Sequence, residues 1–445
     1  MAKQQTEKKI DSFIGAKCFI ASLIIIAALM LAGYISTLTI PCDGIPFWKW
    51  ILSPFLVLGS DDMVTLIAVI LFLLIIGGVF NSLTKHGLMR YMIDKIAFKY
   101  ADSRYKLMAV ISFFFMALGS LIGSFEEAVP MVPIVVALAL RLGWDRLTGI
   151  AMSLLSIGCG FAAGVFNPFT IGIAQELAGL KMFSGAWIRA INFVLIYVLL
   201  QLFMRMHAKR IEQNVSEEDA KTFFADKKKD TGVLLFAVIM VVGIVIVMSS
   251  AFISALRDYT FVIVSVMFLI AGIVSCVVSG MKRKAFGRAF ANGVVSMLPA
   301  VLMILMASSI KYTLSTAGVL DILVSKLAGF ASTMPRWFVI LFIYLVALLM
   351  NFVIPSGSAK AVMLTPILIA IASPLNISSQ LVIIAFAFGD GFSNTFYPTN
   401  PALLISLGLA DTSYSDWAKY SGKFQLANLI LTSLLLLAGL ALGIK

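Results

Sequence analysis

Two apolar runs, residues 381–388 and 402–409, flank a polar interruption that reads Gly389-Asp390-Gly391-Phe392-Ser393-Asn394-Thr395-Phe396-Tyr397-Pro398-Thr399-Asn400-Pro401. Neither run alone can cross a bilayer, which takes about 20 residues of helix. Joined through the interruption, they can. Lipid offers exposed backbone no hydrogen bonds, so a broken helix persists at that depth only when enclosed by protein or facing a wet cavity. Such a break marks a substrate or ion site in membrane carriers.

The rest of the chain supports a membrane setting. Of its 445 residues 61% are hydrophobic and 13% charged, where soluble domains carry roughly 25% charged residues. This composition describes an all-α polytopic membrane protein. The net charge of +12 is then a signature of membrane orientation, with Lys and Arg retained inside, and not of a nucleic-acid partner. Cys18, Cys42, Cys159 and Cys276 show no paired spacing, and His86 and His207 lie in basic loops, so no disulfide framework, metal or other cofactor is expected. The first apolar run, 18–40, follows Lys3, Lys8, Lys9 and Lys17. It is too long for a signal-peptide core and reads as a retained helix.

Four interrupted stretches stand among continuous spans. Residues 107–122 and 128–140 are short apolar segments joined by Gly123-Ser124-Phe125-Glu126-Glu127, and basic residues lie at both outer ends. That pattern predicts a re-entrant hairpin over about 107–140. Residues 147–180 are interrupted at Gly158-Cys159-Gly160 and at Gly164 to Pro168, which predicts a first broken helix. A second hairpin is expected over about 337–373, around Pro355 to Lys360, and a second broken helix over about 378–410. Sliding the chain on itself so that Gly123 meets Ser356 aligns 123–168 with 356–401 without a gap, and it matches Gly158 with Gly391, Asn167 with Asn400 and Pro168 with Pro401.

The expected organisation is a first repeat over 1–206, a connection and linking helix over 207–258, and a second repeat over 259–445. Placing most of the 34 Lys and Arg on one side sets the N-terminus in the cytoplasm and inverts the two repeats. Both hairpin tips and both breaks then meet near mid-membrane. Half-helix N-termini there suit anions, while unwound carbonyls suit cations.

The ionisable residues at that depth are the candidates for chemistry. Glu126 and Glu127 either carry a proton or touch a cation, or sit in water at a shallow tip. Lys360 occupies the place of Glu127 in the second repeat. It could face Glu127 as a gate, bind one end of a zwitterion, or snorkel to the interface. Asp390 suits a cation ligand or a proton carrier, with Ser393, Asn394 and Thr395 beside it. Ser356, Ser358, Thr399 and Asn400 offer uncharged ligands, though each could instead cap a half-helix. Asp61 and Asp62 read as caps of an outer helix end.

The motifs Pro355-Ser356-Gly357-Ser358-Ala359-Lys360 and Phe388 to Asn394, followed by Pro398-Thr399, resemble the signature of the anaerobic C4-dicarboxylate carrier family, in particular its YfcC-like branch. Gly123 to Glu127 and Asn167-Pro168-Phe169 resemble the first-half counterparts. The resemblance implies paired inverted repeats, a scaffold and a transport domain that moves as an elevator, and a homodimer. It also implies a site lined by Ser124, Glu126, Glu127, Asn167, Ser356, Gly357, Ser358, Asp390, Asn394, Thr399 and Asn400.

The expected function is secondary active transport of small carboxylate-bearing solutes, C4-dicarboxylates or amino acids, across the cytoplasmic (inner) membrane. Coupling would be to Na⁺ or H⁺, or the carrier would exchange solutes. The alternatives are an amino-acid or peptide antiporter without Na⁺ coupling, and a channel. An intramembrane aspartyl protease would need a second Asp facing Asp390, and none is expected at that depth, so the chain is not read as an enzyme.

Overall fold

The computed structural model describes residues 16–40, 42–60, 63–100, 103–121, 123, 125–181, 183–212, 226–249, 260–319, 322 and 334–444. Most of these are helical, with no strand among them. The first half comprises α1 (Ala16–Thr39), α2 (Met63–Lys85), α3 (Leu88–Lys99), α4 (Arg104–Leu121), α5 (Val132–Arg141), α6 (Arg146–Ala163), α7 (Ile173–Leu177) and α8 (Ala186–Ile211). The second comprises α9 (Lys227–Ser249), α10 (Thr260–Val278), α11 (Arg283–Ser296), α12 (Leu298–Thr316), α13 (Arg336–Val353), α14 (Gly357–Ala372), α15 (Ser379–Ser393), α16 (Pro401–Leu409) and α17 (Tyr414–Ala441). Among the described residues seven helices are long and apolar enough to cross a membrane: α2, α4, α6, α8, α11 with α12, α13 and α17.

Helices occupy both stretches in which the sequence suggests a hairpin. In the first, α4 and α5 are joined through a 3₁₀ turn over Glu126–Met131. In the second, α13 and α14 are joined through Ile354 and Pro355, and the Ser356 side chain caps α14 by accepting from Ala359 N. Both stretches expected as broken helices are interrupted, though not at every expected residue. Gly164, at φ 50°, ends α6 in the left-handed region that glycine tolerates. The chain restarts at a wide π turn over Pro168–Gly172. In the second half α15 continues unbroken through Ser393, so Asp390 lies in its last turn and the break itself covers 394–400.

Gly158 and Gly160 do not interrupt α6. They are where it is crossed. A Cβ at Gly160 would fall 1.8 Å from Met116 O of α4, and one at Gly158 would fall 2.1 Å from Thr395 Cγ2. At Gly160 the opposing atoms are backbone, so only glycine fits, while at Gly158 a side-chain methyl stands closest; the pair serves close approach and not the break that its sequence suggests.

Packing around these elements has the same plan in both halves. Helix α4 packs along α6, as α13 packs along α15, and α6 crosses α15. The first hairpin's tip and α5 contact α16, while α14 contacts α7 and the Pro168–Gly172 turn. The turn before α5 with α5 itself, and likewise α14, therefore each touch the part beyond the interruption in the other half. Burial places the centre here: 89% of the α6 span is buried inside the protein, against 28% of α17. Leu426, Ile430 and Leu434 of α17 are exposed, as suits a helix in contact with lipid. The basic stretch from Arg283 is helical as α11.

Candidate functional site

Two charges of opposite sign meet where the helices cross. Lys360, in the first turn of α14, and Asp390, in the last turn of α15, are both fully buried, with Nζ to Oδ1 at 2.5 Å. Neither is placed to suit its own helix. The N-terminal end of a helix disfavours a cation and the C-terminal end an anion, so each charge relies on the other. A buried pair of this kind gains little stability after desolvation, whereas breaking it is costly.

Asn351, in the last turn of α13, holds the pair in place. Its Oδ1 accepts from Lys360 Nζ, and its Nδ2 donates to Asp390 O at 3.1 Å, Ser393 Oγ at 2.6 Å and Asn394 Oδ1 at 3.0 Å. Asn394 Nδ2 in turn donates to Asp390 O at 2.9 Å, and Asn400 Nδ2 donates to Asn394 Oδ1 at 2.9 Å. Asn351→Ala should therefore leave several buried groups unsatisfied, at a cost of about 2–3 kcal/mol. A fall in the melting temperature of the purified protein would register it; an unchanged value would mean that Lys360 and Asp390 are held by something else.

The pair keeps unused bonding capacity. An ammonium has three donors, and Lys360 gives one to Asn351 and one to Asp390. Asp390 Oδ2 accepts from nothing among the described residues. The tip of the second hairpin closes over this oxygen, since a Cβ at Gly357 would fall 2.7 Å from Oδ2, 2.5 Å from Thr170 Cγ2 and 3.1 Å from Phe161 Cζ. Thr170 belongs to the first break, and its Oγ1 is also buried and without a partner among the described residues, as is Thr399 Oγ1 in the second break. One site thus gathers parts of α13, α14, α15 and both breaks.

The other expected site residues divide. Asn167 lies against the first hairpin's tip, where a Cβ at Gly123 would overlap its amide, and its Oδ1 accepts from Thr170 N at 3.1 Å. Asn400 caps α16 by accepting from Ala402 N at 2.9 Å. Ser393 Oγ donates to Gly389 O at 2.5 Å and Thr395 Oγ1 to Phe392 O at 2.8 Å, so both hydroxyl protons are spent on their own helix. Ser124 and the Asp61-Asp62 pair lie outside the described residues, as do the side chains of Glu126, Glu127 and Ser358. Lys360 does not snorkel to the interface. Its ion-pair partner is Asp390 and not the Glu127 that the repeat had suggested. Among the described residues no group of three or more His, Cys, Asp or Glu could hold a metal.

The family described as C4-dicarboxylate anaerobic carrier (DcuC) matches residues 50–441. The Escherichia coli protein named "Putative basic amino acid antiporter YfcC" is 26% identical over 407 residues, covering 85% of this chain and 78% of that one. An uncharacterized Haemophilus influenzae protein is 22% identical over 403 residues, covering 86% and 77%. The crystal structure of the Alcanivorax borkumensis YdaH transporter superimposes with a TM-score of 0.52 at 18% identity, over 95% of this chain and 99% of that one, and so shares the overall fold. The membrane-spanning helices and a family match over most of the chain make this an integral membrane protein that belongs to the C4-dicarboxylate anaerobic carrier family.

Proposed function

We propose that the protein is a secondary active transporter of small carboxylate-bearing solutes, and that amino acids suit its site better than C4-dicarboxylates. The observation that carries this is the buried Lys360–Asp390 pair with one ammonium donor and one carboxylate oxygen left over. An α-amino acid brings a carboxylate for Lys360 and an ammonium for Asp390 Oδ2. A dicarboxylate would satisfy Lys360 and be repelled by Asp390. The name of the Escherichia coli relative, "Putative basic amino acid antiporter YfcC", agrees with a substrate that carries positive charge.

In this reading the hairpins and broken helices form two inverted repeats, one over 1–206 and one over 259–445. The hairpins and broken helices, without the other helices of each repeat, act as one mobile body. It slides against a scaffold of α1, α2, α10, α11 and α12 in a homodimer, across the cytoplasmic membrane with the N-terminus inside. Withdrawal of the Gly357 tip would open the pair to substrate, and its return would close it. Nothing in the proposed cycle requires a catalytic step or a cofactor.

The test is counterflow in proteoliposomes preloaded with one solute and offered the same solute in labelled form. Uptake is expected for one or more amino acids, basic ones first. In Asp390→Asn, losing a charge-assisted bond worth about 1.5–3 kcal/mol should weaken apparent affinity roughly 10- to 100-fold. Counterflow of dicarboxylates with indifference to every amino acid would reverse the substrate preference, and no counterflow of either class would sink the transport reading.

A further inference from the structure

In carriers with unwound helices, the coupling cation binds the carbonyls of the break and the negative end of the half-helix. Here those carbonyls are engaged by donors from the chain itself. At the first break Arg189, in the first turn of α8 and 1% exposed, donates from Nε to Gly164 O at 2.9 Å and from Nη2 to Val165 O at 3.1 Å. Its Nη1 donates to Ser184 O at 2.9 Å. Gly164 and Val165 directly follow the C-terminal end of α6, so the guanidinium stands where that helix's dipole is negative. No carboxylate among the described residues pairs with it.

The second break is closed in the same way with neutral groups. From α17, Trp417 Nε1 donates to Thr395 O at 2.7 Å, Tyr414 OH to Phe396 O at 3.0 Å and Gln425 Nε2 to Phe392 O at 3.1 Å. Asn351 and Asn394 cover Asp390 O. The cation at that end is Lys360.

The geometry points to Arg189 as a built-in cation that fills the cation position of the first break, a positioning residue that makes a bound Na⁺ there unnecessary. The unwound segment is held open by a charge that never leaves, and the cycle needs no Na⁺ at this place. This deepens the carrier reading and rests on it, but its test needs no substrate.

The measurement is the melting temperature of purified, substrate-free protein in NaCl, KCl, choline chloride and low-millimolar guanidinium chloride at equal ionic strength, with urea as a control. Wild type is expected to show no Na⁺-specific shift. Arg189→Gln keeps amide donors for the carbonyls but removes the charge, and it should gain a saturable stabilisation by guanidinium or Na⁺ over choline. A merely structural cap would leave Arg189→Gln indifferent to both ions, which overturns the proposal, as does a Na⁺-specific shift in wild type. If Arg189→Gln cannot be recovered folded, the wild-type arm decides alone. Absence of transport for every solute would sink the carrier reading without altering any of these shifts.

Discussion

Lys360→Met should strip the protein of both stability and transport, and adding Asp390→Leu should return the stability alone. The single change leaves a carboxylate at zero exposure without its cation, and breaking a buried pair on one side costs about 3–5 kcal/mol. Replacing both charges with apolar side chains of similar volume is commonly neutral, or stabilising by about 1–4 kcal/mol. The melting temperature of the double variant should therefore lie well above that of Lys360→Met, while counterflow stays absent. If the pair were only a structural tie, the double variant would recover transport along with stability.

Gly391→Ala should be among the most damaging single-methyl changes in the chain. Its Cβ would fall 2.3 Å from Ala162 N and Cα, in the backbone of α6. A flexible side chain could yield, but a helix backbone can do so only by separating α6 from α15. Overpacking of this kind costs about 1–3 kcal/mol and at times more. Because Asp390 is the neighbouring residue, counterflow should fall by more than the loss of folded protein explains. Gly158→Ala offers the contrast at the same crossing. There the obstruction is Thr395 Cγ2, at 2.1 Å, so Thr395→Ser should relieve it while keeping a hydroxyl for Phe392 O. A melting temperature for Gly391→Ala equal to wild type would show that the crossing is looser than described.

Part of the architecture was legible because membrane backbone physics leaves visible marks. Each polar run that ends in Asn-Pro contains a helix interruption, but α15 carries on through Gly389 to Ser393 before its run breaks. Lys360 and Asp390 each stood out as charges in apolar surroundings. That they face each other did not, because the repeat suggested Glu127 as the partner and said nothing of how α14 leans on α15. Asn351 gave no signal at all: an Asn four residues before Pro355 reads as an ordinary helix stop.

Arg189 was equally hidden, since an Arg two residues after Trp187 at the start of a span reads as an interfacial anchor, while in the fold it turns inward to the first break. Gly158 and Gly160 were seen but given the wrong role. A glycine needed for chain freedom and one needed for close approach look alike in sequence, and only the crossing of α4, α6 and α15 separates them. The caps formed by Ser356 and Asn400 show the other side of this ambiguity, for polar residues beside a break serve the helix ends as readily as a ligand.

The most direct measurement uses the stable double variant. Purified wild type and Lys360→Met/Asp390→Leu are each titrated with α-amino acids, with the corresponding amines lacking the carboxylate, and with the corresponding acids lacking the amine. Binding is read as ligand-dependent thermal stabilisation. The Lys360–Asp390 receptor predicts that wild type responds to one or more intact amino acids, responds weakly or not at all to either half-molecule, and that the double variant responds to none. A folded double variant that binds the same amino acids as wild type would contradict it.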